Sequence, residues 1–366
     1  MVFSFRGVNW KVVSLVIGLS LFGVVMVYSA SSFNADRLYS DSFFFVKKQI
    51  VGVVLGSGAM LLVSMFDYHK LLRFRFVALI VGFVLLIMVF VPVIGVESYG
   101  AKRWINFGIL SFQASEIAKF CLIIFAAGYM VKHRERMSSF LGSLPVLLAG
   151  GGMCVLIMLE PNMSITICVG VLLLSLLLFG GMRLKHLCLV ILPSLCLLPA
   201  LIILEPYRVK RLLAFINPWA SPQGEGFQLI QSLYSLGNGG WFGVGLFNSR
   251  QKYSFLPFSE SDFIFSIIGE ELGFVGALCV LFVFVVLIFY CIKVAMHAPD
   301  RLGFLLSIGV ATILATQVLL NVAVVSGAVP PTGLPLPFIS AGSTSLVVFM
   351  SAMGIVLNID KQSKDL

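Results

Sequence analysis

The sequence predicts an all-α, polytopic membrane protein with about ten transmembrane helices. Hydrophobic residues make up 59% of the 366 residues, charged residues make up only 11%, and the mean hydropathy is +1.05. Soluble domains carry roughly a quarter charged residues, so lipid must be the solvent for most of this chain. The apolar residues also fall in runs of about 20, the length that a helix needs to cross the hydrocarbon core of a bilayer.

Ten apolar runs reach or approach that length. In chain order they are residues 12–30, 46–66, 76–95, 116–131, 144–159, 163–181, 186–204, 262–292, 302–326 and 338–357. The first run resembles a signal peptide, but we expect it to remain as a helix because further spans follow it. The whole chain, 1–366, is therefore predicted to be one integral membrane domain with a long loop, about 205–261, between the seventh and eighth spans.

The distribution of lysine and arginine predicts the orientation of the chain. With the N-terminus inside, most basic residues fall in short cytoplasmic loops and tails, for example at 70–75, 132–136 and 183–185. This is the pattern of the positive-inside rule. Both termini are then cytoplasmic and the long loop is extracytoplasmic. The formal net charge of +9 is mainly a topology signal, and we expect no nucleic-acid partner.

Two polar clusters lie in short segments on the predicted outer side. The first joins Lys102 and Arg103 to Glu116 and Lys119, of which the last two are three residues apart and share a helical face. Residue types alone also fit an interfacial segment with one intramembrane ion pair. The second cluster is a tight turn at 160–164, where we expect Glu160 to be a solvated turn acid.

The long loop carries a third cluster, which begins with Arg208, Lys210 and Arg211. Their positive field suits a diphosphate, because guanidinium groups can grip phosphate with paired hydrogen bonds. Gln251 and Lys252 follow near the end of the loop. On residue types alone, a loop held together by salt bridges is an equally good interpretation.

Asp262, at the start of the eighth predicted span, is the candidate catalytic residue. An ionisable group at that depth is costly to desolvate and is a functional candidate by default. A carboxylate near basic groups can take a proton from a sugar hydroxyl if it is close enough.

Three further stretches have their own local signals. Residues 227–236 mix polar and apolar residues at helical spacing, which predicts a helix lying on the surface. The glycine-rich stretch 237–245 predicts a close-fitting, sharply turning backbone, and the absence of a preceding strand excludes a dinucleotide-binding fingerprint. Residues 330–337 contain four prolines and cannot be helical. Such a broken segment is tolerated at membrane depth only where it is buried or lines a cavity.

No dedicated metal site is evident in the sequence. The seven cysteines show no CxxC pair, so we interpret them as small buried hydrophobic residues. The four histidines all fall at or near the predicted cytoplasmic side. No cofactor is therefore required by the residues, and the sequence leaves open whether a divalent cation, Mg²⁺ or Mn²⁺, assists a diphosphate leaving group.

Several motifs in one order carry a family resemblance. They are Ala101-Lys102-Arg103-Trp104-Ile105, Pro206-Tyr207-Arg208, Asn217-Pro218-Trp219, Phe227-Gln228-Leu229, Gln251-Lys252, Ser261-Asp262-Phe263-Ile264-Phe265, Gly269-Glu270-Glu271-Leu272-Gly273 and Gly333-Leu334-Pro335-Leu336-Pro337-Phe338. The chain resembles the SEDS family (shape, elongation, division and sporulation) over nearly its whole length. Within that family it is more similar to the FtsW branch than to RodA or SpoVE.

The resemblance implies a ten-span glycosyltransferase that polymerises lipid II into peptidoglycan outside the bacterial cytoplasmic membrane, at the division site. Asp262 would activate the acceptor's 4-hydroxyl, and undecaprenyl diphosphate would leave. The implied partners are a class B penicillin-binding protein and other membrane proteins of the division complex. The residues expected to bind substrate are Lys102, Arg103, Glu116, Lys119, Arg208, Lys210, Arg211, Gln251, Lys252 and Ser340.

Three positions depart from the common family pattern. Asn162 stands where the family commonly has an aspartate, Glu260 lies in a segment that commonly contains a histidine, and Ala341 replaces a tyrosine. A carboxylate at Glu260 would raise the pKa of Asp262 because like charges repel.

Two alternatives from other functional classes stay open. One is a flippase for a lipid-linked precursor, for which we would expect ionisable residues near the bilayer midplane; Arg208, Lys252 and Asp262 instead cluster at the predicted outer boundary. The other is a non-catalytic scaffold for a transpeptidase. The sequence also leaves open whether division, elongation or sporulation is served.

Overall fold

The computed structural model describes residues 7–92, 94–98, 101–106, 108, 111–203 and 205–364. The fold is mostly helical. The helices are α1 (Trp10–Tyr39), α2 (Phe44–Met65), α3 (His69–Arg73), α4 (Arg75–Met88), α5 (Ala114–Lys132), α6 (Phe140–Leu159), α7 (Met163–Phe179), α8 (Leu184–Ile203), α9 (Pro206–Ile216), α10 (Phe227–Gly239), α11 (Ile264–Met296), α12 (Arg301–Val325) and α13 (Ser343–Lys364).

Within those ranges, seven helices are long and apolar enough to cross a membrane. They are α1, α2, α5, α6, α11, α12 and α13. Shorter apolar helices, α4, α7 and the first part of α8, occupy the other three predicted spans. The helical, multi-pass architecture is thus confirmed, whereas the count of ten spans stays a prediction.

A small antiparallel sheet follows α4 and was not anticipated by the all-α prediction. Its strands are β1 (Gly95–Ser98), β2 (Ala101–Asn106) and β3 (Ser111–Gln113), in the order β1-β2-β3. The predicted third span, 76–95, is correspondingly too long, because α4 ends at Met88 shortly before Pro92, which cannot extend a helix. Strand β2 alternates as a half-buried strand does, with Ile105 buried between exposed Trp104 and Asn106.

Helices α5 and α12 form the centre of the molecule. Helix α5 packs against α4 and α12, and α13 packs along α2. The buried side chains of α5 include Glu116 and Lys119, so the molecule's interior is not uniformly apolar. Helix α8, in contrast, is exposed along most of its length.

Helix α11 is broken at Gly273, whose φ of 69° and ψ of −173° are not helical. The glycine-rich segment 240–245 lies in this break and bonds to both halves of the helix. Val244 N donates to Glu270 O at 3.0 Å, and Phe274 N donates to the Gly240 carbonyl at 2.8 Å. The predicted close-fitting turn is therefore found, and its partner is the interrupted helix.

The segment between α12 and α13, residues 326–342, is non-helical, as its prolines predict. It is also largely buried, with Leu334, Leu336 and Phe338 at most 2% exposed. The predicted tenth span, 338–357, therefore begins five residues early, because the helix starts at Ser343.

The long loop is better ordered than its composition indicates, since it contains α9, a short 3₁₀ turn at Pro218–Ala220 and α10. The predicted surface helix is present, but α10 packs one face against α11. The buried residues of α10 include Leu229, Ile230, Ser232 and Ser235, and Ser235 Oγ donates to Ser266 O of α11 at 2.9 Å.

Candidate active site

A cavity of about 870 Å³ lies where the sheet, the long loop and the 326–342 segment meet. Its volume lies within the range of roughly 300–1,000 Å³ typical of ligand pockets. Tyr39, near the end of α1, and Ser343, at the start of α13, both line it. The cavity is thus at the end of the helical bundle that lies opposite both described chain ends. Further residues in its wall are Arg103, Gln113, Glu116, Glu205, Tyr207, Arg211, Glu260, Asp262, Thr332, Gly333 and Ser345.

Asp262 lies in the turn before α11, and its half-buried side chain lines the cavity. Asn321 on α12 fixes the backbone there, because its Nδ2 donates both to Asp262 O at 2.9 Å and to Leu334 O at 2.6 Å. Gly333 approaches the carboxylate so closely that a Cβ at this position would lie 2.8 Å from Asp262 Oδ2. The turn and the broken segment together position the acid.

The pKa of Asp262 is raised to about 6, first by burial and then by the charge of Glu260, while Arg103 and Arg211 act in the opposite direction. The effect expected of Glu260 is therefore found. A carboxyl with this pKa is mostly ionised at pH 7. Its pKa is also close enough to that pH for the group to serve as a general base.

Two arginines from different elements line the same cavity as Asp262. Arg103 on β2 is held by the turn after α6, since its Nε donates to Glu160 O at 3.2 Å and its Nη2 to Pro161 O at 2.5 Å. Arg211 on α9 contacts the broken segment, with its Nη1 3.5 Å from Pro331 O. Both guanidinium groups are suited to hold phosphate oxygens.

Glu116 and Lys119 form the predicted pair on one face of α5. Lys119 Nζ lies 2.8 Å from Glu116 Oε1 and 2.7 Å from Gln317 Oε1, and Ser345 Oγ donates to Glu116 Oε2 at 2.6 Å. Glu116 reaches the cavity wall, whereas Lys119 lies beneath it and is 1% exposed. The pair is a satisfied polar network that ties α5 to α12 and α13.

Lys252 and Gln251 are not brought to Asp262. Lys252 Nζ lies 3.3 Å from Glu271 Oε1 and donates to Ser29 Oγ at 3.2 Å, and Gln251 N donates to Glu270 Oε2 at 3.4 Å. These contacts fasten the end of the long loop to α11. The buried carboxylates of the Gly-Glu-Glu-Leu-Gly motif thus serve as anchors.

The remaining predicted binding residues divide between other positions. Lys210 is exposed and outside the cavity wall. Arg208 is buried beside Tyr207, whose hydroxyl accepts from its Nε at 3.2 Å. Ser340 is a positioning residue, because its Oγ donates to Ser261 O at 2.5 Å and accepts from Leu336 N at 2.7 Å. The side chain of Lys102 lies outside the described part of the structure.

The sequence prediction for Glu160 is wrong, because this residue is fully buried and is not a solvated turn acid. Neither of its carboxylate oxygens has a hydrogen-bond partner among the described residues. Burial raises its pKa to about 8, against the opposing charge of Arg103. The sequence analysis also missed Gln317 and Asn321, although two polar residues four apart in an apolar span are a functional signal.

The described residues contain no group of three or more His, Cys, Asp or Glu side chains that could hold a metal ion. Asp262 and Glu260 both line the cavity, however. Two carboxylates together with substrate phosphates are a typical donor set for Mg²⁺. The residues therefore fit a cation that arrives with a diphosphate better than one held in a protein cage.

Fold and site together define a polytopic helical membrane protein with a polar cavity in which an acid faces two arginines. The family model described as cell cycle protein, FtsW/RodA/SpoVE, matches residues 10–365. The chain belongs to this family, which is also called the SEDS family, and the predicted membership is confirmed.

Two similar relatives illustrate the relationship. The chain is 38% identical to stage V sporulation protein E of Bacillus subtilis, over 93% of this chain and 94% of that protein. It is 37% identical to a probable peptidoglycan glycosyltransferase FtsW of Geobacter metallireducens, over 96% and 94% respectively.

Solved structures show the same fold. A chain from a peptidoglycan synthase complex that coordinates polymerization and crosslinking superposes with a TM-score of 0.80, at 26% identity, over 98% of this chain and 99% of that chain. A mutant of the rod shape determining protein RodA of Thermus thermophilus gives a TM-score of 0.71 at 25% identity, over 98% and 99%.

Proposed function

We propose that this protein is a peptidoglycan glycosyltransferase that polymerises lipid II at the outer face of the bacterial cytoplasmic membrane. The observation that carries the proposal is the arrangement of Asp262, Arg103 and Arg211 around one cavity of about 870 Å³. The relatives named peptidoglycan glycosyltransferase support it, since they match nearly the whole chain.

The geometry supports a direct displacement. Asp262 takes the proton of the 4-hydroxyl of the acceptor's N-acetylglucosamine, and that oxygen attacks the anomeric carbon of the donor. A new glycosidic C–O bond forms while the bond from the anomeric carbon to the phosphate oxygen breaks. The electron pair leaves with undecaprenyl diphosphate, and Arg103 and Arg211 neutralise the charge that develops on it.

A divalent cation has a limited place in this proposal. Mg²⁺ or Mn²⁺ would be held by Asp262 and Glu260 together with phosphate oxygens, and would supply charge neutralisation. The arginines already provide positive charge at the cavity. Glycan synthesis should therefore continue at a reduced rate when EDTA replaces added cation, and complete loss would show that the ion is required.

The position of the cavity supports an extracytoplasmic enzyme with both termini in the cytoplasm. Glu116 lies in the first turn of α5 and Asp262 just before α11, so both acids are near helix ends rather than helix centres. A flippase should have its ionisable groups near the midplane. The arrangement therefore favours surface chemistry over translocation.

A class B penicillin-binding protein is the proposed partner, because a chain with the same fold belongs to a peptidoglycan synthase complex that coordinates polymerization and crosslinking.

The cellular role has two candidates. The similarity to the FtsW protein supports a role at the division site, together with other membrane proteins of the division complex. The similarity to the B. subtilis sporulation protein, at 38% identity, supports spore formation. Localising a tagged chain in dividing and in sporulating cells distinguishes the two.

The decisive experiment measures glycan polymerisation from purified lipid II by the chain with its transpeptidase. The Asp262→Ala and Asp262→Asn variants should make no polymer. Asp36→Asn is the matched control, because Asp36 is exposed near the end of α1, outside the cavity wall. Polymer from a folded Asp262→Asn variant at the normal rate would refute the proposed mechanism. Absence of polymer from the unaltered chain would favour the scaffold or flippase interpretation, which a translocation assay then separates.

A further inference from the structure

The end of the molecule opposite the cavity, which carries both described chain ends, has an uneven distribution of charge. Six basic residues lie in three of its segments: Lys132, Arg134, Arg136, Arg183, Lys185 and Arg301. Glu135 is the only acid within 132–136 and 183–185, and none of the six cations forms an ion pair with a residue that the structure describes. Asp300 precedes Arg301, but its carboxylate binds the hydroxyl of Tyr68 at 2.8 Å and lies 3.3 Å from His69 Nε2. The positive-inside rule accounts for basic residues at this end, but not for a group of them without counter-ions.

Contacts between the helices bring these segments together. Arg301, the first residue of α12, donates from its Nη2 to Gly180 O at the end of α7, at 2.6 Å. Gly180 lies so close to α5 that a Cβ at this position would clash with Met130. The rings of Phe140, at the start of α6, and His186, near the start of α8, are 6.2 Å apart. The ends of five helices therefore form one surface, which we call the basic surface and define by the six cations above.

Two arginines of the basic surface repel each other. The positive charge of Arg134 acts on Arg301. Arg301 Nε is also buried and has no hydrogen-bond partner among the described residues. A buried donor without an acceptor is costly, and a hydrogen bond to a charged group is stronger than one to a neutral group. An anion at this position would satisfy the donor and reduce the repulsion.

Exposed leucines lie beside these cations. Leu141, in the first turn of α6, is 77% exposed, and Leu184, the first residue of α8, is 66% exposed. Leu184 stands between Arg183 and Lys185 in the chain. An apolar surface next to cations at the ends of membrane helices matches a ligand that has both hydrocarbon chains and an anionic head. A soluble anion or an acidic peptide would use only the cations.

We propose that the basic surface binds an anionic phospholipid of the bilayer, with Arg134, Arg183 and Arg301 at its phosphodiester and with Leu141 and Leu184 against its acyl chains. Basic pockets between transmembrane helices on the cytoplasmic side are typical sites for such headgroups. Because the surface lies at the opposite end of the molecule from the cavity, this lipid is not a substrate, and the inference does not depend on the proposed function. Helix α8 is exposed along most of its length, so the bound headgroup would also fasten its first turn to the ends of α5 and α12.

Thermal melting in a neutral detergent, with phosphatidylglycerol added stepwise, tests this binding. The double variant Arg134→Gln/Arg183→Gln removes two cations from exposed positions, so the fold should be retained. Lys11→Gln/Lys70→Gln is the matched control, because it makes the same change of charge at exposed positions of α1 and α3. The lipid concentration that gives half of the rise in melting temperature should increase roughly 25-fold in the first pair, because each basic residue near an anionic lipid contributes on the order of fivefold in affinity. The control pair should leave this concentration unchanged.

The alternatives give different results in the same assay. An equal change in both variant pairs would show only the general field of this end of the molecule and would overturn the proposal. Equal stabilisation by phosphatidylcholine would exclude recognition of the anionic head. Stabilisation by glycerol 3-phosphate as effective as that by phosphatidylglycerol would show an anion site in which acyl chains have no part. Stabilisation by polyglutamate but not by phosphatidylglycerol would assign the surface to an acidic protein segment.

Photolabelling provides a second test that locates the lipid. The chain in detergent is irradiated with one equivalent of a phosphatidylglycerol that carries a diazirine on its acyl chain near the glycerol. Labels should fall near Leu141 and Leu184, and they should be lost in Arg134→Gln/Arg183→Gln but retained in the control pair. Labels spread over all exposed apolar helices, or labels that persist in the first pair, would refute the proposed site.

Discussion

The close approach of Gly333 to Asp262 predicts a large effect from a very small substitution. In Gly333→Ala the new Cβ would lie 2.8 Å from Asp262 Oδ2, whereas ordinary contacts begin at 3.4 Å. The carboxylate must move by more than half an ångström, and misplacement by about 1 Å can cost roughly 10²-fold in rate. The backbone of residue 333 does not have a positive φ, so alanine introduces no conformational strain.

We therefore expect kcat for glycan polymerisation to fall by about 10- to 100-fold, with a smaller change in KM. Gly342→Ala is the matched control, because its Cβ would contact only the Cβ of Ser345, at 3.9 Å. Both glycines line the cavity, and thermal melting of each purified variant checks that it is folded. Normal activity of Gly333→Ala, or an equal loss in both variants, would contradict the assigned position of Asp262.

Three further predictions concern charges in and below the cavity. Activity should rise with pH through about 6, as Asp262 loses its proton. Glu260→Gln should shift this rise to lower pH, because removing a like charge lowers the pKa of Asp262. An unshifted pH profile would show that the charge of Glu260 does not act on Asp262. Arg211→Ala should raise KM for lipid II by about tenfold, as expected for loss of a charge-assisted phosphate contact, whereas Lys210→Ala, outside the cavity wall, should leave it unchanged. Lys119→Met should lower the free energy of unfolding by about 3–5 kcal/mol, because it leaves the buried carboxylate of Glu116 without its cationic partner. Unfolding in mixed detergent measures this loss, and part of it should be recovered when Glu116 is replaced as well.

The sequence predicted the helices well because each depends on a local property, a run of apolar residues. The prediction was wrong where the end of a helix depends on a single residue. The run 76–95 continues past Pro92 in hydropathy alone, yet α4 ends at Met88 and the chain turns into a sheet. The result matters for the site, since strand β2 of that sheet positions Arg103.

The candidate site was predicted in part, and the errors have a common cause. Asp262, Arg103 and Arg211 do share a cavity. Lys252 precedes Asp262 by only ten residues, but the buried carboxylate of Glu271 attracts it elsewhere. Glu160 is followed in the sequence by residues typical of a surface turn, yet its side chain is buried. Neither outcome depends on local sequence, because tertiary packing decides which charges meet and which are buried.

The interrupted helix α11 has a mechanical consequence. Residues 240–245 bond to the backbone on both sides of Gly273, so the bend is braced and does not act as a hinge. The segment after the break is the one that spans lipid, and the segment before it leads to Asp262. A transmembrane helix adapts to bilayer thickness by tilting. Because the bend at Gly273 is rigid, a tilt of the segment after it also moves the segment before it, and Asp262 moves with that segment. The rate of glycan synthesis in vesicles should accordingly depend on the acyl-chain length of the lipid.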